Sequence, residues 1–172
     1  PLGTSSSREC LTMLRRICKY AAHLHLMRSM EIFVKLPRME PKQTKPFSAQ
    51  EQTALRDFVL AAPTPRKVGL LLQMQLGLRS GEVCGLQWGD FDFKADILTV
   101  RRTVSRIYCG TGCTKIVVQT PKTKSSGREI PIPHDLAALL RKLRGNASPD
   151  TWFLSGSTER PVEPRCYRKS IR

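Results

Sequence analysis

An α+β fold, mainly helical with a three-stranded antiparallel sheet, is what this 172-residue chain predicts, and three observations predict it. Apolar residues recur at helical spacing in stretches that open on capping residues and close on glycine. After Asp92 the period changes from helical to alternating. From residue 135 the helical spacing returns. The length accommodates one domain with a real core, or one domain and part of another.

The elements follow in order. Pro1 to Ser7 has the composition of a protease-cleavage remnant followed by a polar spacer, so structure is expected to begin near Arg8. Leu11, Leu14, Ile17, Cys18, Ala21, Leu24 and Leu26 recur at helical spacing, with Arg15, Arg16 and Lys19 largely on other faces. This amphipathic helix has nothing of its own to bury its apolar side against. Residues 35 to 47 carry Pro37, Pro41 and Pro46 among the basic side chains Lys35, Arg38 and Lys42, which is linker composition. Charge on such a linker serves either to neutralise phosphates or to keep a tether solvated.

Ser48-Ala49-Gln50-Glu51 is a capping box, and the helix it opens is expected to run to about Leu60 with Leu55, Phe58 and Val59 buried. Thr64-Pro65 supplies a cap and a first-turn proline for the next helix, whose apolar run from Val68 to Leu76 meets Gly77, a natural terminator. Ser80 is then placed to cap a short third helix with Glu82 in its first turn and Val83 and Leu86 toward the core. Arg79 stands on the joint. Residues 97 to 107 read as one strand, Ile116 to Gln119 as a second and Glu129 to Ile132 as a third, all in one sheet. Gly110 and Gly112 mark a loop, and Pro121 to Gly127 a polar turn presenting Lys122 and Lys124. Leu136, Leu139, Leu140 and Leu143 make a helix ending at Gly145; Trp152, Phe153 and Leu154 make a short buried element, and a further helix opens at Glu163.

Lys and Arg outnumber Asp and Glu by 29 to 14, and a formal charge of +15 calls for a polyanionic partner. Nucleic acid comes first. A membrane surface is the weaker candidate, because no stretch approaches ~20 uninterrupted apolar residues and no signal-peptide order is present. The expected location is cytoplasmic, within reach of DNA. The six cysteines are scattered through a chain with adequate apolar content, and reduced thiols are expected. Cys109 and Cys113 are spaced like half of a zinc site, but no second close pair follows, so no metal and no other cofactor is expected.

Read from its residues alone, Arg79 is either a guanidinium offered to a phosphate or a solvated residue satisfying stray carbonyls. The stretch Gly77-Leu78-Arg79-Ser80-Gly81-Glu82, followed by Gly85-Leu86-Gln87-Trp88-Gly89-Asp90-Phe91-Asp92, resembles the first catalytic box of the tyrosine recombinases, the phage-integrase family. The run from Thr120 to Pro133, with Lys122, Lys124 and Arg128, is similar to that family's lysine-bearing hairpin and most like the integrases of conjugative transposons. The resemblance implies a division of the chain. Residues 8–34 would be the last helix of a core-binding domain, 35–47 a linker, and 48–172 the N-terminal half of the catalytic domain.

It also implies chemistry. Transfer of a phosphodiester to a protein nucleophile needs charge stabilisation on the non-bridging oxygens and a proton for the departing 5′ oxygen. Arginine suits the first task by its planar, permanently charged fork; a lysine suits the second. By resemblance Arg79 is the first catalytic arginine, Lys122 the general acid, Lys124 the alternative to it, and Glu82 a supporting residue orienting Arg79 or the helix start. Arg15, Arg16, Lys19, Lys35, Arg38, Lys42, Arg101, Arg102 and Arg128 are the candidate DNA contacts. The family's His-x-x-Arg box and nucleophilic tyrosine find no match here; Tyr20, Tyr108 and Tyr167 are not promoted to that role.

The expected parent is thus a recombinase that cuts and rejoins double-stranded DNA through a 3′-phosphotyrosine intermediate, a tetramer on paired sites during integration and excision of a mobile element. This 172-residue chain alone is expected to be inactive and monomeric. Two other readings stand beside it. One is a non-catalytic DNA-binding module from a shortened integrase. The other is an RNA-binding or zinc-dependent protein, against which stands the lack of an aromatic platform for stacking bases.

Overall fold

The structure, a computed structural model, describes residues 3–28, 36–38, 45–120 and 127–171. It divides into two units, Pro1–Pro46 and Phe47–Arg172. The fold is α+β. Among the described residues no helix is long and apolar enough to cross a membrane.

The first unit holds α1 (Thr4–His23). It starts four residues before the expected Arg8, because Gly3 takes an extended N-cap conformation and its carbonyl accepts the Ser7 N–H at 3.0 Å. Short serines do not prevent a first turn. The helix also stops earlier than its apolar pattern, since His25 adopts a positive φ of 56° that no helix continues through. No residue of α1 is buried, and Met13, Leu14, Ile17 and Tyr20 are exposed.

The second unit opens with α2 (Ala49–Ala61). Its capping box forms: the Ser48 hydroxyl accepts the Glu51 N–H at 3.2 Å, and the Glu51 carboxylate accepts the Ser48 N–H at 2.8 Å. Val59 is buried and Leu55 half-buried, but Phe58 is 59% exposed, contrary to expectation. Lys67 sits over its ring instead, at 4.2 Å. A 13-residue helix touching the core by one edge buries a narrow stripe, and Phe58 falls beside it. Thr64 caps α3 (Pro65–Leu76), which Gly77 ends at φ 65°. Then come α4 (Ser80–Cys84) and a 3₁₀ turn, Trp88–Asp90.

The strands are β1 (Phe91–Asp92), β2 (Ile97–Val100), β3 (Thr103–Tyr108), β4 (Thr114–Gln119) and β5 (Arg128–Pro131). They form two sheets where one was expected: an antiparallel β1-β2-β5 sheet and a β3-β4 hairpin. The single strand read over 97–107 breaks at Arg101 and Arg102. Leu98, Val100 and Val104 point inward, and the same alternation aims Arg102 at the core. A guanidinium there needs a partner, and the chain leaves the ladder to bring it onto the buried Asp90. β5 pairs with β2 so that Arg128 stands opposite Val100.

Helices α5 (His134–Arg144) and α6 (Pro164–Ser170) complete the unit. Its core gathers Val59, Val68, Leu72, Val83, Leu86, Leu98, Leu140, Phe153 and Tyr167. Trp88 meets Phe153 edge-on, with ring centroids 5.1 Å apart, so the 3₁₀ turn after α4 is nailed to the segment 152–154.

Candidate active site

The site begins with how α3 hands over to α4. Gly77 ends one helix, Leu78 is buried, and Arg79 takes an extended conformation (φ −73°, ψ 150°) before the next begins. The cap is therefore Arg79, not Ser80 as the sequence suggested. The reason is the carboxylate three residues on: Glu82 accepts the Arg79 backbone N–H at 2.8 Å, which leaves Ser80 inside the first turn.

Two glycines let this short helix lie against β3 and the residue just before it. A Cβ on Gly81 would come within 2.7 Å of both the Thr103 hydroxyl and the Val104 carbonyl, and one on Gly85 within 2.9 Å of the Arg102 carbonyl. Four residues apart, they share the helix face that touches the strand. Their role passed unread in the sequence, although the Gly-x-x-x-Gly spacing carried the signal.

The Arg79 side chain is 80% exposed, and one of its nitrogens meets Glu82 at 3.0 Å. Glu82, by contrast, is 6% exposed. Its two oxygens also receive both prongs of Arg128, at 3.1 and 3.0 Å. Burial pushes this carboxyl up, but the Arg128 fork and the Arg79 backbone N–H together outweigh burial and hold it below its ordinary value. One buried carboxylate thus receives two guanidiniums, one of which turns its free face to solvent. Such a fork, fixed at its root and permanently charged, is equipped to grip two oxygens of a phosphate.

Other candidates sit elsewhere. Arg102 donates to Asp90 at 2.6 and 2.7 Å, and also reaches the Gln87 side-chain oxygen, so it is spent on holding the 3₁₀ turn. Arg101 is more exposed, 3.8 Å from Asp90, and with Arg102, Gln87 and Thr120 it borders a groove of about 470 Å³. Arg16 and Lys19 are exposed and Arg15 half-buried on α1, and Arg38 is exposed beyond it in the same unit. Lys122 and Lys124 lie outside the described residues, as do Lys35 and Lys42. Tyr167 is fully buried and its hydroxyl donates to Gln73 at 3.2 Å; Tyr108 and Tyr20 are exposed. His134 is the first residue of α5 and contacts Asp96 at 3.0 Å.

No family model matches the chain. A stretch of 82 residues is 39% identical to a tyrosine recombinase XerC-like protein of Caldanaerobacter subterraneus subsp. tengcongensis, covering 45% of this chain and 21% of that protein. Among solved structures, the Tn1549 transposon integrase in complex with a circular intermediate DNA aligns over 96% of this chain and 56% of its own, with a TM-score of 0.70 and 19% identity. A second complex of that integrase with circular intermediate DNA aligns over 99% and 63%, with a TM-score of 0.61 and 21% identity.

The chain has the fold of these integrases, and part of it is similar in sequence to a tyrosine recombinase. It spans about a fifth of the curated recombinase and somewhat over half of the solved integrase chains. Identities near 20% to those integrases establish the fold. Within that fold, the elbow bearing Arg79 and the strand bearing Arg128 are the parts that meet on Glu82.

Proposed function

We propose that the protein to which this chain contributes is a site-specific DNA recombinase. It cuts and rejoins double-stranded DNA through a 3′-phosphotyrosine intermediate, in the cytoplasm, to integrate and excise a mobile element. The supporting observation is the Arg79 elbow: an exposed guanidinium whose backbone and one nitrogen are held by a buried carboxylate. Arg79 grips the non-bridging oxygens of the scissile phosphate. Lys122, with Lys124 as the alternative, protonates the leaving 5′ oxygen. Glu82 positions Arg79. The covalent phosphotyrosine keeps the bond energy for rejoining, so the reaction calls for neither metal nor nucleotide. The integrases of similar fold were captured on circular intermediate DNA and on transposon right end DNA, which favours a duplex as the partner here.

The charge of +15 sets how that duplex is held. Arg16, Lys19, Arg38, Arg101 and the linker lysines neutralise phosphates, with a log–log salt slope of about −0.9 for each one neutralised. The 172-residue chain binds duplex weakly and does not cleave it. The full-length protein works as a tetramer on paired sites.

The test is a nicked suicide substrate offered to the full-length protein. Arg79→Ala and Lys122→Ala should each abolish the covalent adduct while leaving duplex binding nearly unchanged. Loss on Lys124→Ala with full cleavage by Lys122→Ala moves the acid role to the second lysine. Duplex binding by the unaltered protein with no adduct at all would instead make it a non-catalytic DNA-binding module, and an adduct formed by the 172-residue chain alone would refute the inactivity.

A further inference from the structure

The β3-β4 hairpin continues one pair beyond its last strand residues. Tyr108 faces Thr114 across the ladder, and the next N–H, that of Cys109, donates to the Cys113 carbonyl at 2.9 Å. The two cysteines are therefore cross-strand neighbours. Directly opposed residues in antiparallel strands have Cα atoms roughly 4.5 to 5.5 Å apart. A disulfide spans roughly 4.4 to 6.8 Å between Cα atoms, so the separation suits one.

The turn between them is built to hold this arrangement. Gly110, Thr111 and Gly112 all have positive φ, at 86°, 51° and 78°. The Cys113 N–H closes onto the Gly110 carbonyl at 3.0 Å, and the Gly112 N–H donates to the Tyr108 hydroxyl oxygen at 3.0 Å. Both thiols are free and exposed. Among the described residues no third metal-ligating side chain joins them, as a closed thiolate metal site would need.

We infer that Cys109 and Cys113 form a dithiol–disulfide pair whose substrate is a small-molecule disulfide. The thiolate of one cysteine attacks the S–S bond of that disulfide, forming a mixed disulfide and releasing one thiol. The thiolate of the second attacks the protein sulfur of the mixed disulfide, closing the Cys109–Cys113 bond and releasing the other thiol. Two electrons pass to the small disulfide, and the two protons lost by the cysteines appear on the two released thiols. The bond clamps the tip of the hairpin whose first strand, β3, backs α4 at Gly81. None of this depends on the reading of Arg79.

The experiment treats the full chain with oxidised glutathione, blocks remaining thiols by alkylation, and maps the tryptic peptides. Cleavage after Arg106 and Lys115 isolates residues 107–115, which contain these two cysteines and no others. The expected result is that peptide unalkylated and lighter by two hydrogens, from a protein that stays monomeric on a non-reducing gel. In the Cys109→Ser and Cys113→Ser chains, the 107–115 peptide should carry one glutathione on its remaining cysteine. A wild-type peptide that is doubly alkylated, doubly glutathionylated, or cross-linked between chains would overturn the proposal.

Discussion

Both prongs of the Arg128 guanidinium close on the Glu82 carboxylate, at 3.1 and 3.0 Å, across 46 residues of sequence. The pair joins β5 to the first turn of α4, and through Glu82 it reaches Arg79. The sequence marks Arg128 as a candidate DNA contact. Its geometry makes it a brace for the arginine elbow.

Removing either partner should show this coupling. Glu82→Gln is expected to cost about 3 kcal/mol, the low end for breaking a buried ion pair, since both guanidiniums keep some access to water. Arg128→Ala should cost about 1.5–3 kcal/mol, the range for hydrogen bonds to a charged group. The double variant should fall short of the sum by about 0.5–3 kcal/mol, as contacting residues do. Urea denaturation of the four proteins measures it; strict additivity would mean that the pair is idle.

The same carboxylate sets a pH dependence. Its folded value lies below the ordinary 4.5, so the stability it contributes is fully present above that ordinary value and is lost as pH falls through the lowered folded value. The stability gap between wild type and Glu82→Gln should therefore be constant near neutrality and shrink as pH drops below about 4.5. Thermal denaturation across acid pH follows the gap; one that widened on acidification would reverse the sign.

Gly81→Ala ought to destabilise the second unit by about 1–3 kcal/mol, the usual cost of overpacking, despite alanine's better helix propensity. The added carbon meets the Val104 carbonyl, a backbone atom that cannot swing aside, at 2.7 Å. Ser80→Ala, by contrast, should be nearly neutral, because Glu82 and not Ser80 satisfies the start of α4. A loss of about 1 kcal/mol at Ser80 would restore it as the cap.

Tyr167→Phe is expected to lower stability by about 1 kcal/mol, the worth of its hydrogen bond to Gln73, and to leave strand cleavage by the full-length protein intact. Burial raises this phenol's pKa, far from what a nucleophile needs. Failure of the Tyr167→Phe protein to form a covalent DNA adduct, while still folded, would make it the nucleophile after all.

Much of this was legible in local spacing. Ser48 with Glu51, Thr64 with Pro65, and Gly77 announce helix ends because caps and left-handed turns are decided within four or five residues. Val83 and Leu86 could be assigned to the core for the same reason. Phe58 could not: whether a residue at the margin of an apolar stripe is covered depends on what packs there, and Lys67 lies over it. Nor could the break at Arg101 and Arg102, which follows from Asp90 waiting beneath.

By itself, the sequence determined the elements, the basic character, and the placing of an arginine on the elbow between two helices, because each depends on neighbours along the chain. Only the tertiary structure decided that Arg128 belongs to that elbow, that Arg102 is spent inside, and that the strands divide into two sheets. Those outcomes depend on which distant group reaches a buried charge first. A buried carboxylate must be paired, and its partner is chosen by proximity in space, a distance that no spacing in sequence contains.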